Sequence, residues 1–170
     1  MAAPSALSSV RERIVREFVL TLQGLDVGGR NLEQKVWRAW HDPTADGNMP
    51  FACVLPTTET KLTGQVGAPH NFYLCELHVD VFVALRLPQE ADEDSQVVMH
   101  RALADVEKAI LNRPNLIGGR GADSLVDWVH VVDNEVAFGL EQEMPFYGMF
   151  RVGFDVQYLH KDQDPDTGRA

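Results

Sequence analysis

A single long run of alternating residues constrains this chain more than any other feature of its sequence. From Cys75 to Leu87 every odd-numbered position is apolar. The even-numbered positions include the polar residues Glu76, His78, Asp80 and Arg86. Because successive strand residues point to opposite faces of a sheet, this period of two predicts a long strand with one buried and one polar face. Pro88 predicts where the strand ends.

Two amphipathic segments predict helices that can cover the buried face of this strand. Ser9 and Glu12 form a capping-box pattern and predict a helix that runs to about Gly24. A second helix is predicted from a capping Ser95 to about Asn112. Its apolar stripe consists of Met99, Leu103, Val106 and Ile110. Two helices cover only one broad face of a sheet, so the polar strand face is predicted to meet water or a neighbouring subunit.

Shorter apolar runs predict the other strands. Val36 to Trp40 and Phe51 to Leu55 are expected to pair as a hairpin, with a turn at Gly28 to Asn31 before it and Pro56 at its end. Thr57 to Asn71 is rich in Thr and Gly and is predicted to be a connecting loop with an interaction role.

The C-terminal part of the chain predicts two further strands, Leu125 to Val132 and Phe150 to Tyr158. The segment from Asn134 to Pro145 is compatible with either an edge strand or a turn. Together the elements predict an α+β fold: a single mixed, mostly antiparallel sheet of about five strands with two helices packed on one face.

The length of 170 residues is that of one ordinary domain. We predict a flexible N-terminus over residues 1–8, a single domain over residues 9–160, and a tail over residues 161–170 that is disordered or binds a partner. Only Cys53 and Cys75 occur, which favours a reducing compartment. No stretch of the sequence has the length and apolar content of a membrane span, so no membrane association is expected.

The formal net charge of -10 argues against nucleic acid or anionic lipid as a principal partner, because both would be repelled. DNA that passes by without being bound is compatible with this charge.

Metal binding is the most specific chemical alternative to a strand face that meets water or another subunit. Glu76, His78 and Asp80 share one strand face at intervals of about 7 Å, which is near enough for two of them to share a metal ion. The same alternation is typical of any strand face that meets water or another subunit, and we favour that interpretation. Gly118 to Gly121 lacks the Gly-Lys-Ser/Thr ending of a phosphate loop and is predicted to be a turn. The sequence therefore predicts no catalytic residues, no metal and no cofactor, and the expectation is a protein that is not an enzyme.

The order of these elements resembles the tail terminator, or tail completion, proteins of long-tailed bacteriophages. The similarity covers roughly residues 9 to 160: a capped amphipathic N-terminal helix, a hairpin ending in Phe51 to Pro56, a Thr/Gly-rich loop and the long strand Leu74 to Leu87. An acidic connection, a second helix and a last strand before a polar tail follow in the same order. It is a similarity of element order without a diagnostic motif.

This resemblance implies a structural virion protein that forms a ring, expected to be a hexamer, on the head-proximal end of the tail tube. The ring would be assembled in the host cytoplasm, end tube polymerisation and provide the attachment surface for the head-tail connector, with DNA passing through its lumen. Implied partners are further copies of the chain, the tail tube protein and a connector or neck protein. Two alternatives remain: a head-tail connector ring protein, and a small ligand-binding domain or enzyme.

Three parts of the sequence predict where a subunit or tube interface lies: the Thr/Gly-rich loop, the polar face of the long strand, and the acidic connection. The candidate interface residues are Glu59, Lys61, His70, Glu76, His78, Asp80, Glu90, Asp92, Glu93 and Asp94.

Overall fold

The computed structural model describes residues 9–27, 30–33, 35–40, 49–62, 72–87, 93–113, 116, 126–139 and 147–161. The described elements are α1 (Val10–Gln23), β1 (Asp26–Val27), β2 (Arg30–Asn31), β3 (Val36–Trp37), β4 (Phe51–Leu62), β5 (Phe72–Arg86), α2 (Glu93–Leu111), β6 (Trp128–Gly139) and β7 (Tyr147–Lys161).

The strand with the alternating pattern, β5, lies at the centre of a five-stranded sheet of order β3-β4-β5-β7-β6. It pairs antiparallel with both β4 and β7, and β6 pairs antiparallel with β7. Val79 and Val81 are fully buried, which confirms the predicted register of β5. The predicted α+β class, with one mixed and mostly antiparallel sheet, is confirmed.

Both helices pack on one face of this sheet, as predicted. Ser9 caps α1, because its hydroxyl oxygen accepts a hydrogen bond from the Glu12 N–H at 3.2 Å. Phe18 of α1 meets Phe154 of β7 edge to face, with ring centroids 5.4 Å apart. The predicted apolar stripe of α2 is buried in the same core. The helices and the even-numbered side of β7 thus enclose one apolar layer, and the opposite sheet face has neither described helix on it.

The predicted hairpin between Val36 to Trp40 and Phe51 to Leu55 is wrong, because the two strands run in the same direction. Val36 pairs with Ala52 and Trp37 with Cys53 in parallel, so the two runs do not form a hairpin. The first of these strands ends at Trp37 instead of Trp40. The predicted turn at Gly28 to Asn31 also needs correction, because Arg30 and Asn31 pair antiparallel with β1 in a separate two-stranded sheet.

Pro56 does not end its strand. The register of β4 against β5 shifts between Pro56 and Glu59, and the strand continues to Leu62. A bulge accommodates a residue that lacks a backbone donor, so the ladder resumes beyond it. Thr57 to Leu62 is therefore strand instead of predicted loop, and residues 63–71 lie outside the described residues.

The C-terminal predictions were too short. β6 runs from Trp128 to Gly139 through a bulge between Val131 and Asp133, so the start of the ambiguous Asn134 segment is edge strand. β7 extends to Lys161, which removes the first residue from the predicted tail. The rest of that tail, residues 162–170, and the N-terminal residues 1–8 lie outside the described residues. No described helix is long and apolar enough to cross a membrane.

Candidate interaction surface on the helix-free sheet face

The sheet face opposite the helices divides into two chemically different halves. We call this surface the helix-free face. It carries the even-numbered residues of β5 and the odd-numbered residues of β7, because cross-strand partners in an antiparallel pair share a face. Apolar residues gather where β4 begins and β5 ends, and charged residues gather at the middle of β5 and β7.

The apolar half is built around a small second core. Its buried members are Met49, Phe51, Cys53 and Ala84, and its partly buried members are Trp37, Leu55, Phe82 and Tyr147. The Trp37 and Phe51 rings meet edge to face at 5.4 Å. None of these residues belongs to a helix, so this second core, the apolar patch of the face, is formed by strand residues together with Met49, which precedes β4.

Trp40 is the most exposed large apolar residue of this patch. Its ring meets Phe82 edge to face, with centroids 5.1 Å apart, yet 52% of the residue remains accessible. Phe82 also lines an open depression of about 120 Å³, whose other lining residues are Glu135, Ala137, Met149, Phe150 and Arg151. A protruding aromatic next to an apolar depression with a charged rim is the pattern of a protein interface more than of a small-molecule site.

The charged half consists of five side chains that alternate in charge across three strands. His78 Nδ1 lies 2.7 Å from Asp155 Oδ1, and His78 Nε2 lies 3.5 Å from Asp80 Oδ1. Arg151 donates to Asp80 at 3.4 Å and to Asp133 at 2.7 Å. We call this set, Asp155-His78-Asp80-Arg151-Asp133, the charge chain.

Gly153 provides the room that the charge chain needs. It lies opposite Asp80 on one side and Asp133 on the other. A Cβ atom at this position would overlap the Asp133 carboxylate and lie 3.2 Å from His78 Cε1. A side chain at this position would therefore displace the Asp133 carboxylate from the place where Arg151 binds it.

The pKa of His78 reflects opposing effects of this environment. Partial burial lowers the pKa, but the hydrogen bond to Asp155 and the charge of Asp80 together outweigh burial and raise the pKa above its ordinary value of 6.5. The imidazolium form is thus the one that this geometry stabilises.

The prediction that polar side chains of the long strand share one face is confirmed, but the exposure of Asp80 needs correction. Glu76, His78 and Asp80 all lie on the helix-free face, and Glu76 accepts a hydrogen bond from Gln157 at 3.0 Å. Asp80 was predicted to meet water or a neighbouring subunit, whereas contacts within the single chain already leave only 8% of it accessible. It is buried because Arg151 and His78 lie on either side of its carboxylate.

Glu59 and Lys61 do not join this surface. After the bulge they face the helix side of the sheet, opposite Leu77 and Cys75. Glu59 accepts from the Tyr158 hydroxyl at 2.8 Å and from Arg11 at 3.3 Å. Lys61 Nζ lies 4.9 Å above the Tyr73 ring. These contacts tie the far end of β4 to α1, β5 and β7.

The acidic connection is only partly described. α2 begins at Glu93, two residues before the predicted cap Ser95. Glu93 and Asp94 lie in its first turn. Ser95 is buried inside the helix, and its hydroxyl has no hydrogen-bond partner among the described residues. His70, Glu90 and Asp92 lie outside the described residues.

Sequence reasoning missed Arg151, Asp155 and Asp133, which complete the charge chain, and Trp40 and Phe82 of the apolar patch. The alternation of β7 contains a signal for the first two, because Arg151, Asp155 and Gln157 occupy its polar side. Their pairing with β5 depends on a long-range register that local alternation does not specify.

The geometry disfavours the metal alternative for Glu76, His78 and Asp80. The two ring nitrogens of His78 point in different directions, each toward its own carboxylate. No group of three or more metal-ligating side chains occurs in the described part of the chain.

No protein-family model matches the chain, and no curated protein matches it either.

Proposed function

We propose that this protein is a tail terminator of a long-tailed bacteriophage, a ring-forming structural protein that caps the tail tube. The observation that carries the proposal is the helix-free face, where an apolar patch with a half-exposed Trp40 adjoins an ordered charge chain. The other side chains of the patch are buried or partly buried within the chain, so Trp40, which is 52% exposed, is the apolar contact that this patch offers to another protein.

The element order supports the same proposal. A one-sided helix layer leaves one sheet face available for association, and a head-to-tail contact whose rotation closes gives a ring without a free end. Such a ring, with six copies as the expected number, occupies the terminal interface of the tube in place of another tube layer. Growth of the tube then stops.

The acidity of the chain fits a conduit for DNA. Each copy carries a formal net charge of -10, so a ring of copies repels the phosphate backbone that passes through it. The proposed partners are the tail tube protein on one side and a head-tail connector protein on the other. The proposed location is the head-proximal end of the virion tail.

Native mass spectrometry and negative-stain microscopy of the purified protein test the ring directly. The informative variant is Trp40→Glu, which places a charge in the apolar patch at an exposed position and so leaves the core unchanged. Its matched control is Val97→Glu, at a position of α2 that is 43% exposed on the helix side. We expect rings for the wild type and for Val97→Glu, and loss of rings for Trp40→Glu.

A wild-type protein that stays monomeric at every concentration would overturn the proposal, as would rings that persist in Trp40→Glu.

The function beyond the ring is tested by co-expression with the tail tube protein of the same genome. Tubes of limited length that carry the ring at one end support a terminator. A ring that binds only head-side proteins contradicts it and assigns the protein to the neck.

A further inference from the structure

The centre of the helix-free face contains a histidine in a setting that only one protonation state satisfies. His78 presents Nδ1 to Asp155 at 2.7 Å and Nε2 to Asp80 at 3.5 Å. A neutral imidazole has one N–H, so it can donate to one carboxylate and must turn a lone pair toward the other. An imidazolium donates to both. The positions of the two carboxylates therefore select the charged ring.

Every neighbouring element contributes to this setting. β5 supplies Glu76 and Asp80 on either side of His78, and β7 supplies Asp155 opposite it. The next strand, β6, brings His130 opposite Asp155 and Asp133 opposite Gly153. β4 contributes the uncharged Thr57, whose hydroxyl donates to the His78 carbonyl oxygen at 3.5 Å. The charged neighbours of His78 are thus carboxylates, apart from Arg151 and His130.

We infer that His78 makes the charge chain a proton-dependent switch on the helix-free face. With the proton bound, two cations, His78 and Arg151, lie among the three carboxylates of Asp80, Asp133 and Asp155. Loss of the proton leaves Arg151 alone among the same carboxylates. The face then becomes more negative by one charge per copy, and Asp155 loses the cation that ties β7 to β5. A second copy of the chain, with its own formal net charge of -10, is therefore repelled more strongly by this face after the proton is released.

The direction of the effect on stability follows from linkage. The pKa of His78 in the folded protein lies above its ordinary value of 6.5, despite the lowering effect of burial, because Asp155 and Asp80 favour the charged ring. The stabilisation is therefore complete below pH 6.5 and is lost as pH rises through the folded pKa. Between these two values the unfolding equilibrium constant increases with pH on account of this one group, by at most about tenfold per pH unit.

The first test is a titration of the His78 ring nitrogens by NMR on the intact wild-type chain. We expect a midpoint above 6.5 and a lower midpoint in Asp155→Asn, where one carboxylate is replaced by a neutral amide. A wild-type midpoint at or below 6.5 would overturn the inference. This readout does not depend on ring formation, so it stands or falls separately from the tail terminator proposal.

The second test is the pH dependence of unfolding in urea. His78→Gln should lose the part of the pH dependence above pH 6.5 that His78 contributes, whereas His100→Gln, at an exposed position of α2, should retain the wild-type profile. Equal pH profiles for wild type and His78→Gln would show that the histidine is not the switch.

Discussion

At the scale of single residues, the charge chain shows how burial and pairing are coupled. Asp80 is 8% accessible although it lies on a face without helices. A carboxylate in that position is unfavourable unless a cation compensates for its lost hydration. Arg151 and His78 provide that compensation from a neighbouring strand and from two positions earlier on the same strand. The stability of this part of the sheet therefore depends on polar residues as well as on the apolar core.

Arg151→Met tests this dependence. The substitution removes both hydrogen bonds of Arg151 and leaves Asp80 with His78 alone, so we expect the free energy of unfolding to fall by about 1–3 kcal/mol. The measurement is urea unfolding followed by circular dichroism at one fixed protein concentration.

The matched control is Arg38→Met. Arg38 pairs with Glu12, but both side chains are largely exposed. An exposed pair contributes about 0–1 kcal/mol, so the control should lose less than Arg151→Met. Equal losses in the two variants would contradict the argument that burial of Asp80 makes its partner important.

At the scale of elements, two serines at the starts of the two helices play opposite roles. Ser9 precedes α1 and accepts the Glu12 N–H, whereas Ser95 lies inside α2, which begins at Glu93. Ser95 is 3% accessible, and its hydroxyl lacks a hydrogen-bond partner among the described residues. A serine that sequence predicts as an N-cap therefore acts as one only if the helix begins at the next residue.

Alanine substitution separates the two roles. Ser9→Ala should lower the free energy of unfolding by about 0.5–2 kcal/mol, because a donor in the first turn of α1 loses its acceptor. Ser95→Ala should leave the free energy unchanged or raise it by about 1 kcal/mol, because it removes a buried hydroxyl that has no hydrogen-bond partner among the described residues. Thermal and urea unfolding of both variants provide the comparison. Destabilisation of Ser95→Ala to the same extent would mean that Ser95 acts as a cap after all.

At the scale of the whole molecule, the proposed association of copies would have to overcome charge repulsion. Each chain carries a formal net charge of -10, and the helix-free face contains more carboxylates than cations. The apolar patch around Trp40 and Phe82 is the part of that face that favours contact with another copy. Association through it should therefore be driven by apolar burial and opposed by long-range electrostatics.

The salt dependence of assembly follows from this balance. Raising the ionic strength from about 0.1 M to about 1 M shortens the Debye length from about 10 Å to about 3 Å and screens the repulsion between copies. We expect sedimentation velocity to show a larger oligomeric fraction at the higher salt concentration. Dissociation on adding salt would instead indicate an interface held by ion pairs between copies.

The sequence by itself determined the alternation of β5, the amphipathic helices, the one-sided layer and the polar side of β5 at Glu76, His78 and Asp80, but not the apolar half of the same face. These features depend on local periodicity, which is written into consecutive residues. Only the tertiary structure decided the parallel pairing of β3 with β4, the passage of β4 beyond Pro56, and the meeting of His78 with Asp155 and of Asp80 with Arg151. Those features arise from pairing between residues far apart in the chain, and a strand's own alternation is compatible with many partners and registers. The physical reason is that side-chain period selects a face, whereas burial of the whole core selects which strands lie side by side.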